Sequence, residues 1–155
     1  MSKCLITGTF DPLTLGHESV IKRALSVFDR VAVAILVNPD KKALFSVEER
    51  IRMIESVFGE KVEVFFHDGW AVDAAKNVHA DVLVRGIRGE QDLAYEEEMA
   101  RYNREHGVET TFFFADEGLE TVTSTAVRTA LLQGNDVKEY LSENVYRLVT
   151  AYRGE

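Results

Sequence analysis

The ten residues Gly8-Thr9-Phe10-Asp11-Pro12-Leu13-Thr14-Leu15-Gly16-His17 are the part of this chain best suited to chemistry. They lie between an apolar run, Cys4 to Thr7, and an amphipathic run, Glu18 to Phe28, and so read as strand, turn and helix. Gly16 and His17 fall at the mouth of that helix. Its unpaired N–H groups and positive dipole end make such a mouth a seat for phosphate. Gly8 and Gly16, lacking Cβ, are expected to let the backbone approach a ligand closely. His17 adds an imidazole donor where charge develops during phosphoryl or nucleotidyl transfer. Glycines before a capped helix can be purely structural. The coincidence of Thr9, Asp11 and Thr14-x-Gly16-His17 in one strand-to-helix turn favours the phosphate site.

Three further groups fit the same chemistry: Lys41-Lys42, Arg85-x-x-Arg88, and Thr123-Ser124-Thr125 with Arg128. Singly, each has a plain structural reading: a solvated pair, a charge closing a strand, a helix cap whose Arg128 pairs with an acid such as Glu120. Together they need one sheet edge. Val31 to Val37 is apolar throughout, as in a buried parallel strand. Val62 to Phe66, Asp81 to Val84 and Thr110 to Ala115 supply three more strands besides the first. Between them come helices: one opened by the capping box Ser46-Val47-Glu48-Glu49 and stopped at Gly59, a short one near Val72 to Val78, and a long charged one from Asp92 to His106. A helix capped by Thr123 to Thr125 runs over Ala126 to Gln133 and ends at Gly134, and Asp136 to Tyr152 forms a helical tail. Strands alternating with helices predict an α/β fold: a single doubly wound, Rossmann-like domain over residues 1–155, with a five-stranded parallel sheet and a helical C-terminal tail. In such a sheet the carboxyl ends of the strands share one edge. Lys41, Lys42, Arg85, Arg88, His17 and two helix N-termini are then expected around one crevice, a setting for a nucleoside triphosphate.

The chain has 155 residues, enough for one domain with a real core. With 46% hydrophobic and 28% charged residues it is neither disordered nor a disulfide scaffold. A net charge of −8 disfavours a general nucleic-acid surface, though a local cation cluster can still hold a polyanion. The one cysteine, Cys4, lies within the first strand and cannot form an internal disulfide. No apolar stretch approaches the ~20 residues that span a bilayer, and none resembles a secretory leader. A cytoplasmic location without membrane or nucleic-acid partners is the expectation. His67, His79 and His106 are not spaced as metal ligands.

Thr14-Leu15-Gly16-His17 resembles the T/HxGH signature of the nucleotidylyltransferase superfamily. Gly8-Thr9-Phe10-Asp11-Pro12 resembles, more narrowly, bacterial phosphopantetheine adenylyltransferase, a family of coenzyme A synthesis. Asn38 to Arg50 is similar to that family's lysine loop and the helix after it. Val84-Arg85-Gly86-Ile87-Arg88, with Asp92, Tyr95-Glu96 and Asn103, falls in the spacing of its second signature. Thr123-Ser124-Thr125 with Arg128 resembles the superfamily's third motif, commonly ISSTxxR. The combination covers most of the chain and is specific to the family, whereas the third motif alone is not. The sequence departs from the pattern at Thr7 and Ser142, where proline is common. It also departs at Leu119 to Val122, which replace an aromatic-rich stretch, and at Trp70, larger than the usual aliphatic residue.

The resemblance implies transfer of AMP from ATP, carried with Mg²⁺, to 4′-phosphopantetheine. It implies catalytic roles for His17, Thr9, Lys41 and Arg85, and ATP binding by Thr9, Phe10, Gly16, His17, Arg88, Glu96, Thr123, Ser124 and Thr125. Thr9, Lys41, Trp70, Ala71 and Arg85 would bind the acceptor. It further implies coenzyme A as a feedback ligand and a homohexamer. The acceptor's phosphate is largely ionised at neutral pH, so no general base is required, and catalysis would be positioning plus charge stabilisation. Two rival activities remain. A sister nucleotidylyltransferase for nicotinate mononucleotide or glycerol phosphate is disfavoured by the lysine loop and Arg85-Gly86-Ile87-Arg88. A class I tRNA synthetase fragment would need a KMSKS-type loop, which is not visible. A nucleotide-binding regulatory domain without turnover is disfavoured by Thr9, His17, Lys41 and Arg85 together.

Overall fold

The computed structural model describes residues 1–154. Strands β1 (Lys3–Gly8), β2 (Arg30–Val37), β3 (Glu63–Asp68), β4 (Val82–Ile87) and β5 (Glu109–Phe114) form one sheet in the order β3-β2-β1-β4-β5. All four pairings are parallel. The helices are α1 (Leu15–Val27), α2 (Val47–Phe58), α3 (Ala71–Asn77), α4 (Glu90–Glu105), α5 (Ser124–Leu132) and α6 (Glu143–Tyr152).

Strand periodicity divides the core in two. Cys4, Ile6, Val31, Val33 and Ile35 point to one face and pack with Ile21 and Ala24 of α1, Met53 and Ile54 of α2, Val127 of α5, and Val145 and Val149 of α6. Leu5, Ala32, Ala34 and Leu83 point to the other and meet Val72, Ala74 and Ala75 of α3. Small residues on that second face let α3 lie close to the sheet. The sheet is therefore covered on both faces, as the unbroken apolar run of β2 requires. Burial pushes the Cys4 thiol up to about 12, leaving it an apolar core group at neutral pH.

The expected architecture is present, with one informative shift in β4. Sequence alone ends that strand at Val84, because a charge follows. In the structure it runs on to Ile87, with Arg85 paired in register to Phe112 of β5. A neighbouring carboxylate, described below, allows the arginine inside the strand. The tail differs too: a 3₁₀ turn at Lys138–Tyr140 and the separate helix α6 replace one continuous helix.

The strand order has a physical consequence. The chain winds outward from β1 through β2 to β3, crosses over, and winds out the other way through β4 to β5. The reversal lies between β1 and β4, and crevices open at such switch points beyond the carboxyl ends of the strands.

Candidate active site

A cavity of about 280 Å³ lies at that switch point. Gly8, Thr9 and Phe10 leave β1 into it, and Arg85 to Arg88 enter it from the end of β4. Thr14, Gly16 and His17 come from the mouth of α1, and Thr123, Ser124, Thr125 and Arg128 from the mouth of α5. Ile6, Val20, Leu119 and Val122 supply apolar wall. Two helix N-termini and the ends of two strands thus meet around one space, as anion binding requires.

At the mouth of α1 the sequence builds an unusual cap. Thr14 is the N-cap, its hydroxyl accepting from the His17 N–H at 3.4 Å, and the His17 ring fills the role usually held by a glutamate. The Thr14 backbone N–H donates to His17 Nδ1 at 3.0 Å. Nδ1 is therefore the unprotonated nitrogen and Nε2 carries the hydrogen. Burial, and then the positive charges of Arg85 and Arg88, lower the His17 pKa to about 4. His17 is thus a neutral, orientated N–H donor. The Phe10 ring stands edge-on against it, centroids 4.9 Å apart, in a residue held at φ 49°. A side chain in the left-handed region is strained and persists only where its surroundings fix it. The buried Phe10 ring therefore supports His17, and what the residue offers the cavity is mainly backbone.

The two glycines of this turn serve packing within the protein. A Cβ on Gly8 would lie 3.1 Å from the Phe10 ring, and one on Gly16 would lie 3.0 Å from the Val122 carbonyl oxygen. At both positions the absent Cβ makes room for protein atoms, while the two glycines also line the cavity.

The cations are fewer and better partnered than the sequence suggests. Three arginines and two carboxylates line the cavity. Arg85 donates from Nε to Glu96 Oε2 at 3.0 Å, from Nη2 to Glu96 Oε1 at 2.7 Å, and from Nη1 to the Thr7 carbonyl at 2.7 Å. Burial disfavours its charge, but the Glu96 bonds more than offset that and raise its pKa. Glu96, expected among the ATP-binding residues, is buried and forked to Arg85. Arg88 pairs with Asp92 through Nε and Nη2, both at 3.1 Å, and remains exposed. A second cavity of about 100 Å³ adjoins the first and shares Thr7, Arg85 and Glu96 with it. Its walls are Leu36, Ala71, Leu83, Met99 and Ala100, with Tyr95, Asn103 and Thr110 adding polar groups.

Other candidates take positions of their own. Thr9 and Thr125 are exposed at the cavity, their hydroxyls reachable by a ligand. Thr123 caps α5 by accepting from the Ala126 N–H at 3.0 Å. Ser124 Oγ donates to the Pro12 carbonyl at 2.7 Å, so its proton is engaged with the protein. Lys41 and Lys42 are exposed in the loop after β2 and line neither cavity, so the expected crevice loses both. Trp70 is also outside both linings: it precedes α3, is 53% exposed, and stacks on Tyr102 with centroids 4.7 Å apart. Its neighbour Ala71 does line the second cavity.

Sequence reasoning gave no role to Asp11 and overlooked Arg50 and the Ser19–Asp116 contact. The Arg50 Nη1 donates to the Thr9 carbonyl at 3.0 Å, and Arg128 Nη1 to the Asp11 carbonyl at 2.8 Å. Ser19 Oγ and Arg23 Nη2 donate to Asp116 at 2.6 and 2.9 Å, tying the loop that carries Leu119 and Val122 to α1. A signal existed for Arg50: it interrupts the apolar stripe of α2, between Val47 and Ile54. Among the described residues, no three His, Cys, Asp or Glu side chains are grouped to hold a metal ion, and no helix is long and apolar enough to cross a membrane.

A parallel α/β sheet with two helix mouths and arginines at its switch point suits nucleotide phosphates, and the match of residues 5–130 to the family described as Cytidylyltransferase-like places the chain among the nucleotidyltransferases. A phosphopantetheine adenylyltransferase of Phocaeicola vulgatus is 41% identical over 148 residues, covering 94% of this chain and 98% of that one. Another, of Cereibacter sphaeroides, is 39% identical and covers 96% of this chain and 98% of its own. This chain belongs to the phosphopantetheine adenylyltransferase family. Among solved structures, a bifunctional NMN adenylyltransferase/ADP ribose pyrophosphatase from Francisella tularensis shares the fold, with a TM-score of 0.74 at 20% identity. That match covers 99% of this chain and half of the other.

Proposed function

We propose that this chain, as one nucleotidylyltransferase domain, transfers AMP from Mg·ATP to 4′-phosphopantetheine, giving dephospho-coenzyme A and pyrophosphate. The observation that carries this reading is the pair of adjoining cavities. The larger is polar and arginine-lined and suits a triphosphate. The smaller is largely apolar, narrow and joined to it at Arg85, which suits an arm of methylenes and amides ending in a phosphate.

An ionised oxygen of the acceptor phosphate attacks the α-phosphorus of ATP. The bond from that phosphorus to the bridging oxygen breaks, and pyrophosphate leaves with the electron pair. No proton is removed from the nucleophile. His17 Nε2–H and the Thr9 hydroxyl donate to the oxygens on which charge grows. Because His17 is neutral and its other nitrogen is held by Thr14, the donor stands ready before substrate arrives. Arg88, Thr125 and the mouth of α5 hold the β- and γ-phosphates, with Gly16 and Thr123 contributing backbone at the two mouths. Ser124 fixes the Pro12 carbonyl instead. Leu119 and Val122 offer the adenine its apolar wall. Arg85, kept charged by Glu96, and Lys41 from its loop hold the acceptor phosphate, and Ala71 lines the arm. The donor set around the larger cavity, arginines with carboxylates already paired to them, suits phosphate oxygens, and Mg²⁺ enters on the triphosphate as part of the substrate. Family likeness supports coenzyme A as an inhibitory ligand and a homohexamer, and the single buried cysteine supports a cytoplasmic location.

Pyrophosphate release from ATP, measured with and without 4′-phosphopantetheine and repeated with CTP, tests the reading. Release that depends on the acceptor and falls sharply with CTP supports it; acceptor-independent release, or a preference for CTP, overturns it.

A further inference from the structure

The turn after β1 and the loop after β2 are tied together by one carboxylate. Asp11, 5% exposed, accepts from the Phe45 N–H through Oδ1 and from the Leu44 N–H through Oδ2, each at 2.9 Å. Both carboxylate oxygens are thus committed to backbone donors more than thirty residues away in sequence. The turn itself is braced from other elements. Arg50 of α2, also 5% exposed, donates to the carbonyl of Thr9, and Arg128 of α5 to that of Asp11. Phe45, 2% exposed, is buried in the core, so the end of the loop that Asp11 grips is fixed. Three to four residues upstream of that grip is Lys41, whose segment has, among the described residues, two local bonds: the Lys41 N–H to the Asn38 carbonyl and the Asp40 N–H to Asn38 Oδ1.

We infer that Asp11 is a positioning residue: by gripping the Leu44 and Phe45 amides it sets the distance between Lys41 and the Thr9–His17 turn. It touches no substrate. Its role is to let a solvent-exposed lysine act on an acceptor phosphate held at a rigid mouth. Two charge-assisted bonds from consecutive amides resist sliding of the loop as one bond cannot. The inference rests on the reading that Lys41 binds the acceptor, and it adds how a lysine outside the cavity wall is brought to bear.

Asp11→Asn keeps the shape but turns one acceptor into an N–H₂ donor. Whichever way the amide turns, either the Leu44 or the Phe45 N–H faces another donor. The KM for 4′-phosphopantetheine should rise about tenfold, the effect of one lost charge-assisted bond, with the KM for ATP changed less than about twofold. The decisive readout is a double-mutant cycle. Lys41→Ala should raise the acceptor KM in the wild-type background and change it little in Asp11→Asn. Additive effects, or equal rises in both KM values, would overturn the inference. Lys41→Ala without effect would overturn it too, while acceptor-dependent turnover of the wild type left the proposed reaction standing. Native-state hydrogen exchange of the unmutated protein needs no variant to fold. The Leu44 and Phe45 amides should be protected while those of Lys42 and Ala43 exchange freely, and free exchange at Leu44 and Phe45 would overturn the grip.

Discussion

His17 has two jobs at two nitrogens, and two substitutions separate them. Asparagine places its amide oxygen near the position of Nδ1, so His17→Asn keeps an acceptor for the Thr14 N–H and loses the donor at Nε2. Alanine offers neither group, so His17→Ala loses the donor at Nε2 and also leaves the Thr14 N–H without its partner. Losing the donor is worth about 3 kcal/mol in the transition state, or roughly a hundredfold in kcat. Losing the cap is worth about 1 kcal/mol of stability, or about 2–4 °C in Tm for a chain of this size. His17→Asn is therefore expected to keep its Tm and lose about a hundredfold in kcat. His17→Ala should lose as much in kcat and melt lower as well, and the difference between the two variants isolates the cap. The pH dependence follows from the same geometry. With a pKa lowered to about 4, roughly one His17 in a thousand is protonated at pH 7, against about a quarter at an ordinary value. No step in kcat near pH 6.5 should then trace to His17. For stability, the unfolded chain binds a proton between pH 6.5 and about 4 that the folded chain does not. The His17 contribution is complete above 6.5 and is lost as pH falls toward 4, with a ceiling of about 3 kcal/mol. Steady-state kinetics and thermal melts across pH 4 to 8 read all of this. A His17→Asn enzyme within about threefold of the wild-type kcat, or a titration near 6.5 abolished by the substitution, would refute the neutral-donor assignment.

Glu18, the next residue of α1, is 2% exposed, and its Oε2 has no hydrogen-bond partner among the described residues. Burial pushes its carboxyl up, and the nearby Ser142 hydroxyl and the Lys22 charge offset only part of that. The folded state thus holds a proton the unfolded state has released, so stability falls as pH rises from 4.5 through the raised value. Glu18→Gln should raise Tm near pH 7.5 and make no difference near pH 4; a lower Tm at neutral pH would contradict this. Trp70, the only tryptophan, stacks on Tyr102 beside Ala71 of the smaller cavity. Saturable change of its fluorescence is expected on adding phosphopantetheine or coenzyme A and little on adding ATP alone, and indifference to both pantetheine ligands would separate Trp70 from the acceptor site.

Much of this architecture is legible because strands and helices announce themselves by period. Val31 to Val37 could only be a buried strand, and the Ser46–Glu49 capping box marks the start of α2 correctly. Thr14 to His17 reads as a helix mouth for the same local reason. The site is less legible because charge pairing is not local. A guanidinium inside β4 is affordable only with Glu96 eleven residues on, so Arg85 looked like the end of a strand. Lys41 and Lys42 looked like members of the crevice because parallel strand ends share an edge. In the structure both are exposed and line neither cavity, and a strand count cannot see that. Asp11 binds backbone groups of a distant segment, a use of charge that leaves no spacing to read, whereas Arg50 shows itself only as a break in the apolar stripe of α2.

The most direct test of the account is a competition between acceptors. The protein is given Mg·ATP with equal amounts of 4′-phosphopantetheine and nicotinate mononucleotide, and the products are identified by mass spectrometry. Dephospho-coenzyme A with its equivalent of pyrophosphate is expected, with little dinucleotide. Nicotinate adenine dinucleotide in equal or greater amount would contradict it.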